Sequence, residues 1–304
     1  MTSTQPTSKG HIAIERARLG SDAVVLAATF VFFFFLTCGY FVVSFLQTID
    51  LGGDSNLLVV IVGLLVAGVM GALFMLAILF FGMIIVRMQR QMMLGNSLQV
   101  EYSDYAWLRE WANEVSADLE LPRVEIFVTQ DPYINAYAFG FIKPYTIVLH
   151  SGSIRYLTHD ELKVVVVHEM AHIKYGHTTA MVYLMPFLSV PVLSALFGWI
   201  AGFWQRRTEL TADRLALMYI ADSELVKASL IKVHVGPDVA KSMNDVARQW
   251  LQYTAERPMN RFAQTFSSHP FLVRRLSHID KWKYVIEPAV ASNATPSVAS
   301  SDAQ

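Results

Sequence analysis

Two long uncharged stretches near the N-terminus dominate the hydrophobic pattern of the chain. No Asp, Glu, Lys or Arg occurs from Ala23 to Ile49 or from Ser55 to Val86. A bilayer core of about 30 Å needs about 20 helical residues, and each stretch is longer than that. The first is too long for a signal-peptide core and no A-x-A pattern follows it, so we expect it to be retained. The pattern predicts two transmembrane helices within residues 22–87.

Basic residues flank this pair of stretches and do not occur between them. They are Lys9, Arg16 and Arg18 before the first stretch, and Arg87 and Arg90 after the second. Because basic residues favour the cytoplasmic side, we expect a cytoplasmic N-terminal segment at 1–21 and a cytoplasmic domain after the second helix. The expected location is therefore the inner (plasma) membrane of the cell, as a multi-pass protein in contact with the lipid bilayer.

After the second stretch the periodicity becomes that of a folded domain. Apolar residues at helical spacing from Tyr105 to Leu119 predict a helix, with Ser103 or Asp104 as its N-cap. Two or three short strands are predicted next, within residues 124–128, 136–139 and 145–149. The fold class predicted for residues 88–286 is α+β, mostly helical with a small β-sheet. The simple, polar tail at 287–304 is predicted to be disordered.

The most specific chemical signal is the H-E-x-x-H motif of residues His168–His172. It lies on a helix that is predicted to begin at a capping box formed by Thr158 and Glu161. Histidines four residues apart project from one helix face, so both imidazoles can bind one metal ion. Neutral histidine suits zinc, whose catalytic sites commonly have three protein ligands and one open position. We expect one Zn²⁺ per subunit, with Glu169 as the base that takes a proton from water.

A third metal ligand must come from elsewhere in the chain. Glu209 and Asp213 lie one turn apart on a predicted helix, so Glu209 can bind the metal while Asp213 hydrogen-bonds a ligand histidine. Acidic pairs at this spacing are also common on solvated helix faces, and spacing alone does not decide between the two. His177 follows His172 by five residues, so we expect it to point away from the metal-binding face in a structural role.

The H-E-x-x-H motif is one of four short motifs that occur in a fixed order along the chain. They are Asn135-Ala136-Tyr137-Ala138, the segment HEMAHIKYGH, Glu209-xx-Ala212-Asp213, and His269-Pro270 with Arg275 six residues after the histidine. In this order they resemble the HtpX-like family of membrane zinc metallopeptidases, a gluzincin family whose relatives include the CAAX-prenyl endopeptidases. The resemblance covers about residues 105–285, and two N-terminal spans are usual in membrane members of that family.

The resemblance implies a role for each matching position. The implied zinc ligands are His168, His172 and Glu209, with Glu169 as the general base and Asp213 orienting a ligand. The segment of residues 135–138 is similar to the edge strand that pairs with substrate backbone, and an unpaired strand edge binds extended peptides by main-chain hydrogen bonds. His269 and Arg275 match positions that stabilise the oxyanion or hold substrate.

The stretch between the two metal-binding segments departs from the family pattern. HtpX-like members usually carry two spans there, whereas this chain has one charge-free stretch, residues 178–205, with prolines at 186 and 191. A single crossing would separate His172 from Glu209 across the bilayer, and two half-length helices are too short to span. We expect a re-entrant hairpin or a helix pair against the membrane face; the alternative is an amphipathic core hairpin of the domain.

Composition narrows the class of protein further. The chain is 54% hydrophobic and 16% charged, with a formal net charge of −1, so it offers no basic surface to nucleic acid. The single cysteine, Cys38, excludes a disulfide framework and a CxxC metal site.

We therefore expect a membrane-anchored zinc endopeptidase that acts on misfolded or membrane proteins in quality control; the sequence does not report its oligomeric state. One alternative is a regulatory metallopeptidase that cleaves a single signalling substrate. Another is a non-catalytic membrane scaffold, whose structural zinc would need four protein ligands.

Overall fold

The computed structural model describes residues 17–48, 57–141, 143–189, 191–265, 267 and 269–291 of the 304-residue chain. The helices within these ranges are α1 (Asp22–Leu46), α2 (Leu57–Leu94), α3 (Ala106–Asp118), α4 (Ser151–Tyr156), α5 (His159–Lys174), α6 (His177–Leu188), α7 (Pro191–Ile220), α8 (Ser223–Val235), α9 (Pro237–Lys241), α10 (Asp245–Glu256), α11 (Pro258–Gln264) and α12 (Leu272–Ala291). The strands are β1 (Leu98–Gln99), β2 (Val124–Thr129), β3 (Ala136–Phe139) and β4 (Tyr145–His150).

The two apolar stretches form helices, as predicted, and most of the apolar surface of these two helices is uncovered. Each is long and apolar enough to cross a bilayer, and only 11% of its most apolar window is buried. They pack side by side, and a Cβ added at Gly71 would come within 2.8 Å of the Cys38 backbone. The absence of a side chain at Gly71 therefore allows close packing. The second helix continues past the predicted boundary at Arg87 to Leu94.

A small mixed sheet follows and confirms the α+β class. Its strand order is β1-β2-β4-β3, with β2 and β4 parallel and β3 antiparallel to β4. Among the described strands, β3 therefore lies at one end of the sheet. The two-residue strand β1 is too short for its alternation to be recognised in the sequence. The N-cap prediction for α3 was wrong, because the residue before the helix is Tyr105 and makes no side-chain capping bond.

The central helix of the domain is α5, which carries the H-E-x-x-H motif. Its predicted capping box is confirmed: Thr158 accepts from the Glu161 backbone, and the Glu161 carboxylate accepts from the Thr158 backbone. Lys232 of α8 adds an ion pair of 2.6 Å to the same carboxylate. Apolar residues on the other faces of α5, such as Val167 and Met170, are fully buried in the core. The start of the helix that carries the motif is thus fixed by its capping box, and its middle is held by the core.

The stretch at 178–205 forms a helix pair made of α6 and the first half of α7. The pair packs against α1 and α2, and Phe187 stacks on Phe33 with ring centroids 4.9 Å apart. Phe33 lies eleven residues into α1, or about 16 Å along its axis at 1.5 Å per residue. Because α7 runs unbroken to Ile220, it carries Glu209 back to the same side as His172.

The start of α1 is fixed to the middle of α7. Asp22 is buried, with one carboxylate oxygen 2.8 Å from the Arg207 Nε and the other 2.9 Å from the Thr211 hydroxyl. The apolar run of α1 therefore begins level with Arg207.

At the other end of the chain, α12 runs to Ala291, so the tail predicted from residue 287 starts too early. The rest of that predicted tail lies outside the described residues.

Candidate metal centre

Three side chains from two helices converge at the centre of the domain. The Nε2 atoms of His168 and His172 lie 3.3 Å apart, because the two residues are one turn apart on α5. The Glu209 carboxylate on α7 lies opposite them, 3.5 Å from His168 Nε2 and 3.7 Å from His172 Nε2. The predicted ligands therefore come together although Glu209 lies 37 positions after His172 in the sequence.

The spacing of these donor atoms fits a zinc ion. A tetrahedral zinc with bonds of about 2.0–2.1 Å holds its ligands about 3.3–3.5 Å apart. Two imidazole nitrogens and one carboxylate oxygen also form a donor set typical of catalytic zinc. The three donor atoms of His168, His172 and Glu209 all lie within 4.8 Å of one another. These residues can hold the metal that the sequence predicted.

Asp213 fixes one of the two histidines from behind. Its Oδ1 lies 3.2 Å from His168 Nδ1, the ring nitrogen that does not face the other ligands. A carboxylate at this nitrogen keeps the proton on Nδ1 and leaves Nε2 free to bind a metal. Although burial opposes its charged form, hydrogen bonds with Asp213 and Glu209 raise the pKa of His168 to about 10. The two carboxylates thus favour a positive charge at this imidazole.

Arg275 on α12 neutralises both carboxylates. Its guanidinium donates to Asp213 through Nε at 2.7 Å, and a further nitrogen lies 3.0 Å from Glu209. Only 4% of Arg275 is exposed. Although burial opposes ionisation of a carboxyl, the Arg275 charge holds the pKa of Asp213 at about 2 and that of Glu209 well below its usual range. The structure therefore places Arg275 behind the predicted metal ligands, against Glu209 and Asp213.

We expect Arg275→Met to destabilise the fold by about 3–5 kcal/mol, because it leaves two buried carboxylates without their counter-charge. The measurement is the free energy of unfolding in detergent. Arg123→Met is the matched control, since Arg123 is 53% exposed and pairs with Glu101 at the surface. That change should cost less than about 1 kcal/mol. Equal losses for the two variants would contradict the assigned role of Arg275.

Glu169 lies beside the ligands and does not belong to the ligand cluster. Its side chain lines two cavities that meet at the centre, with volumes of about 720 and 470 Å³. Burial raises the pKa of Glu169 to about 7. A carboxyl with this pKa can both accept and donate a proton near neutral pH.

His177 was wrongly expected to point away from the metal-binding face. Its Nδ1 lies 3.2 Å from the Nδ1 of His172, so the two rings are in contact. Gly176 explains the difference, because its φ of +72° ends α5 and turns the chain before α6 begins. His177 can accept the Nδ1 proton of His172, as Asp213 does for His168. The break at Gly176 was the signal in the sequence that could have revealed this contact.

The remaining predicted residues line the two cavities. His269 is 66% exposed, and its Nδ1 lies 3.4 Å from Glu209. Residues 135–137 of the β3 region line the same cavity as His269, and Ala138 lines the smaller cavity. His234 of α8 also lines the larger cavity. Sequence reasoning missed it because it lies in a helix that carries no motif.

The comparisons with known proteins agree with this geometry. The sequence model of peptidase family M48 matches residues 102–203 and 190–283. The chain is 31% identical over 214 residues to the plastoglobule-localized metallopeptidase 48 of Arabidopsis thaliana chloroplasts, covering 64% of this chain and 62% of that protein.

Two further relatives carry the names that the motifs suggest. A CAAX prenyl protease 1 homolog from the same plant is 35% identical, over 30% of this chain and 22% of the relative. The protease HtpX of Pasteurella multocida is 25% identical, over 54% of this chain and 68% of the relative. The match thus spans less than two thirds of the two plant proteins. The family match over more than half of the chain and the His-His-Glu cluster lead to one conclusion: this chain belongs to peptidase family M48.

Proposed function

We propose that this chain is a membrane-anchored, zinc-dependent endopeptidase that cleaves misfolded or membrane proteins. The observation that carries the proposal is the convergence of His168, His172 and Glu209 on one point, with Glu169 beside them outside the ligand set. A structural zinc site would be closed by a fourth protein ligand. Among the described residues the cluster has three members, which favours catalysis over the scaffold alternative.

The side chains around the centre can perform peptide hydrolysis. A bound zinc ion would supply Lewis acidity, which lowers the pKa of water and polarises a carbonyl. Glu169 takes the proton from the attacking water and returns it to the leaving amine, which its pKa of about 7 allows. His269, exposed at the cavity wall, is placed to donate to the developing oxyanion. Arg275 acts as a positioning residue through Asp213 and Glu209.

The shape of the larger cavity supports a polypeptide substrate. Among the described strands, β3 is an end strand of the sheet and packs beside α5, so the edge that no described strand pairs is available next to the helix of the motif. An extended chain that adds to this edge by main-chain hydrogen bonds would pass in front of Glu169. Main-chain pairing requires little sequence specificity, which suits unfolded substrates.

Two features support action at the membrane. The uncovered apolar helices α1 and α2 require an apolar surrounding, and the α6–α7 pair follows α1 to the depth of Phe33. The smaller cavity is lined from the same side, by Val86 of α2, Met181 of α6 and Trp204 of α7. We propose that the α6–α7 pair enters the bilayer as a re-entrant hairpin and that the domain faces the cytoplasm from the inner membrane.

Removing the metal tests the zinc assignment. We expect 1,10-phenanthroline to abolish cleavage of unfolded casein by the purified full chain in detergent, because the Lewis acid is lost. Adding Zn²⁺ back should restore cleavage, and adding Mg²⁺ should not, since magnesium prefers oxygen ligands. The measurement is the appearance of casein fragments. Full activity after verified metal removal would contradict a zinc mechanism.

A further inference from the structure

Helix α10 carries an apolar stripe that faces away from the domain. Val246, Trp250 and Tyr253 lie at positions i, i+4 and i+7, on one face of the helix. They are 73%, 63% and 56% exposed. An amphipathic helix of a globular domain normally buries such a stripe. Here α10 packs on α11 and α12 instead, and the residues that face α12, such as Arg248 and Leu251, lie on its other side.

The exposed stripe continues onto the next helix. Met259 of α11 is 74% exposed, and Arg257 at the turn between the helices lies over the Tyr253 ring at 5.1 Å. The Trp250 and Tyr253 rings lie 5.4 Å apart. None of these side chains lines the two cavities at the metal centre. We call Val246, Trp250, Tyr253 and Met259 the α10–α11 face.

The end of α11 lies level with the start of the apolar run of α1. Arg206 of α7 donates to the carbonyl of Thr265 at 3.0 Å and also to that of Ser267, just after α11. The neighbouring Arg207 holds Asp22, the first residue of α1. A Cβ at Gly202 would lie 3.1 Å from the Ser267 oxygen, so α7 contacts this segment closely. The α10–α11 pair is therefore attached where α1 enters its apolar surrounding.

We propose that the α10–α11 face lies on the lipid surface as an interfacial anchor. Trp and Tyr are enriched where a bilayer meets water, and an exposed apolar face flanked by arginine suits that boundary. Continuity with the boundary end of α1 favours lipid over a second copy of the chain or a protein substrate. The inference rests on the proposed membrane anchorage of the chain. The bilayer would then hold the segment that leads directly into His269.

Site-specific fluorescence in nanodiscs tests this placement with the full chain. In a Cys38→Ala background, the environment-sensitive dye NBD is attached at Trp250→Cys, Met259→Cys or Gln252→Cys, in separate samples. Gln252 is the control on the same helix, because it is exposed but lies on the side that faces α12, away from the α10–α11 face. A fourth sample carries the dye at Leu65→Cys, an exposed apolar position in α2. The quenchers are nitroxide-labelled phosphatidylcholine and aqueous iodide.

We expect the dye at 250 and 259 to be blue-shifted and quenched by the nitroxide lipid several times more than at 252. If lipid quenching is equally weak at 250 and 252 but strong at 65, the interfacial placement of the α10–α11 face is wrong and the membrane anchorage of the chain stands. Weak quenching at 65 would overturn the anchorage itself. If shielding at 250 appears only with two copies per disc, or only when a polypeptide substrate is added, another occupant covers the face and the inference is wrong.

Discussion

Replacing Glu169 with Gln is expected to lower peptide-bond cleavage by roughly 10³-fold and to leave metal binding unchanged. The amide keeps the size and polarity of the side chain but cannot accept a proton from water. Metal content should stay at one ion per chain, because Glu169 lies outside the ligand cluster. The measurement pairs the rate of casein cleavage with metal analysis on the same purified sample.

Glu110→Gln is the control for this experiment, since Glu110 is an exposed residue on α3 and lines neither cavity at the metal centre. It should cleave as fast as the unaltered chain. Cleavage by Glu169→Gln at the unaltered rate would remove Glu169 from the mechanism. Loss of the metal in that variant would instead make Glu169 a ligand, which would contradict the geometry.

Replacing His172 with Ala is expected to remove both the metal and the activity. Two donor atoms 3.5 Å apart would remain, and two ligands cannot hold a zinc ion firmly in an open site. The affinity of the variant for zinc should fall by more than the roughly 10–100-fold that follows the loss of a residue that only hydrogen-bonds a metal ligand. Metal analysis after dialysis, together with casein cleavage, measures both effects.

His159→Ala provides the matched control on the same helix. His159 is exposed at the start of α5 and packs against Trp107 in a tilted arrangement, with ring centroids 4.3 Å apart. Its removal should leave one metal ion per chain and the cleavage rate near that of the unaltered chain. Retention of a full metal complement by His172→Ala would contradict the assigned ligand set.

Local spacing made the His-His-Glu cluster predictable. One helical turn separates His168 from His172 and also Glu209 from Asp213, so each pair shares a face in any intact helix. The capping box at Thr158 fixed where the first of these helices begins. The long apolar stretches likewise predicted α1 and α2, because length and composition alone determine whether a helix can span a bilayer.

Contacts that depend on an interruption of a helix, or on a helix distant in sequence, were not predictable from local spacing. His177 reaches His172 only because Gly176 interrupts the helix with a positive φ. Arg275 pairs with Asp213 through the packing of α12 on α7, and its position in the sequence does not reveal that partner. The motif order indicated that Arg275 belongs to the site, whereas its support of the ligand carboxylates required the fold.

The most direct test of the account is the position of the metal itself. The measurement is anomalous diffraction at the zinc edge from crystals of the zinc-loaded Glu169→Gln chain, which cannot digest itself. We predict one anomalous peak within bonding distance of the side chains of His168, His172 and Glu209, with residue 169 uncoordinated. A peak elsewhere, or a fourth protein ligand closing the shell, would contradict a catalytic metal centre.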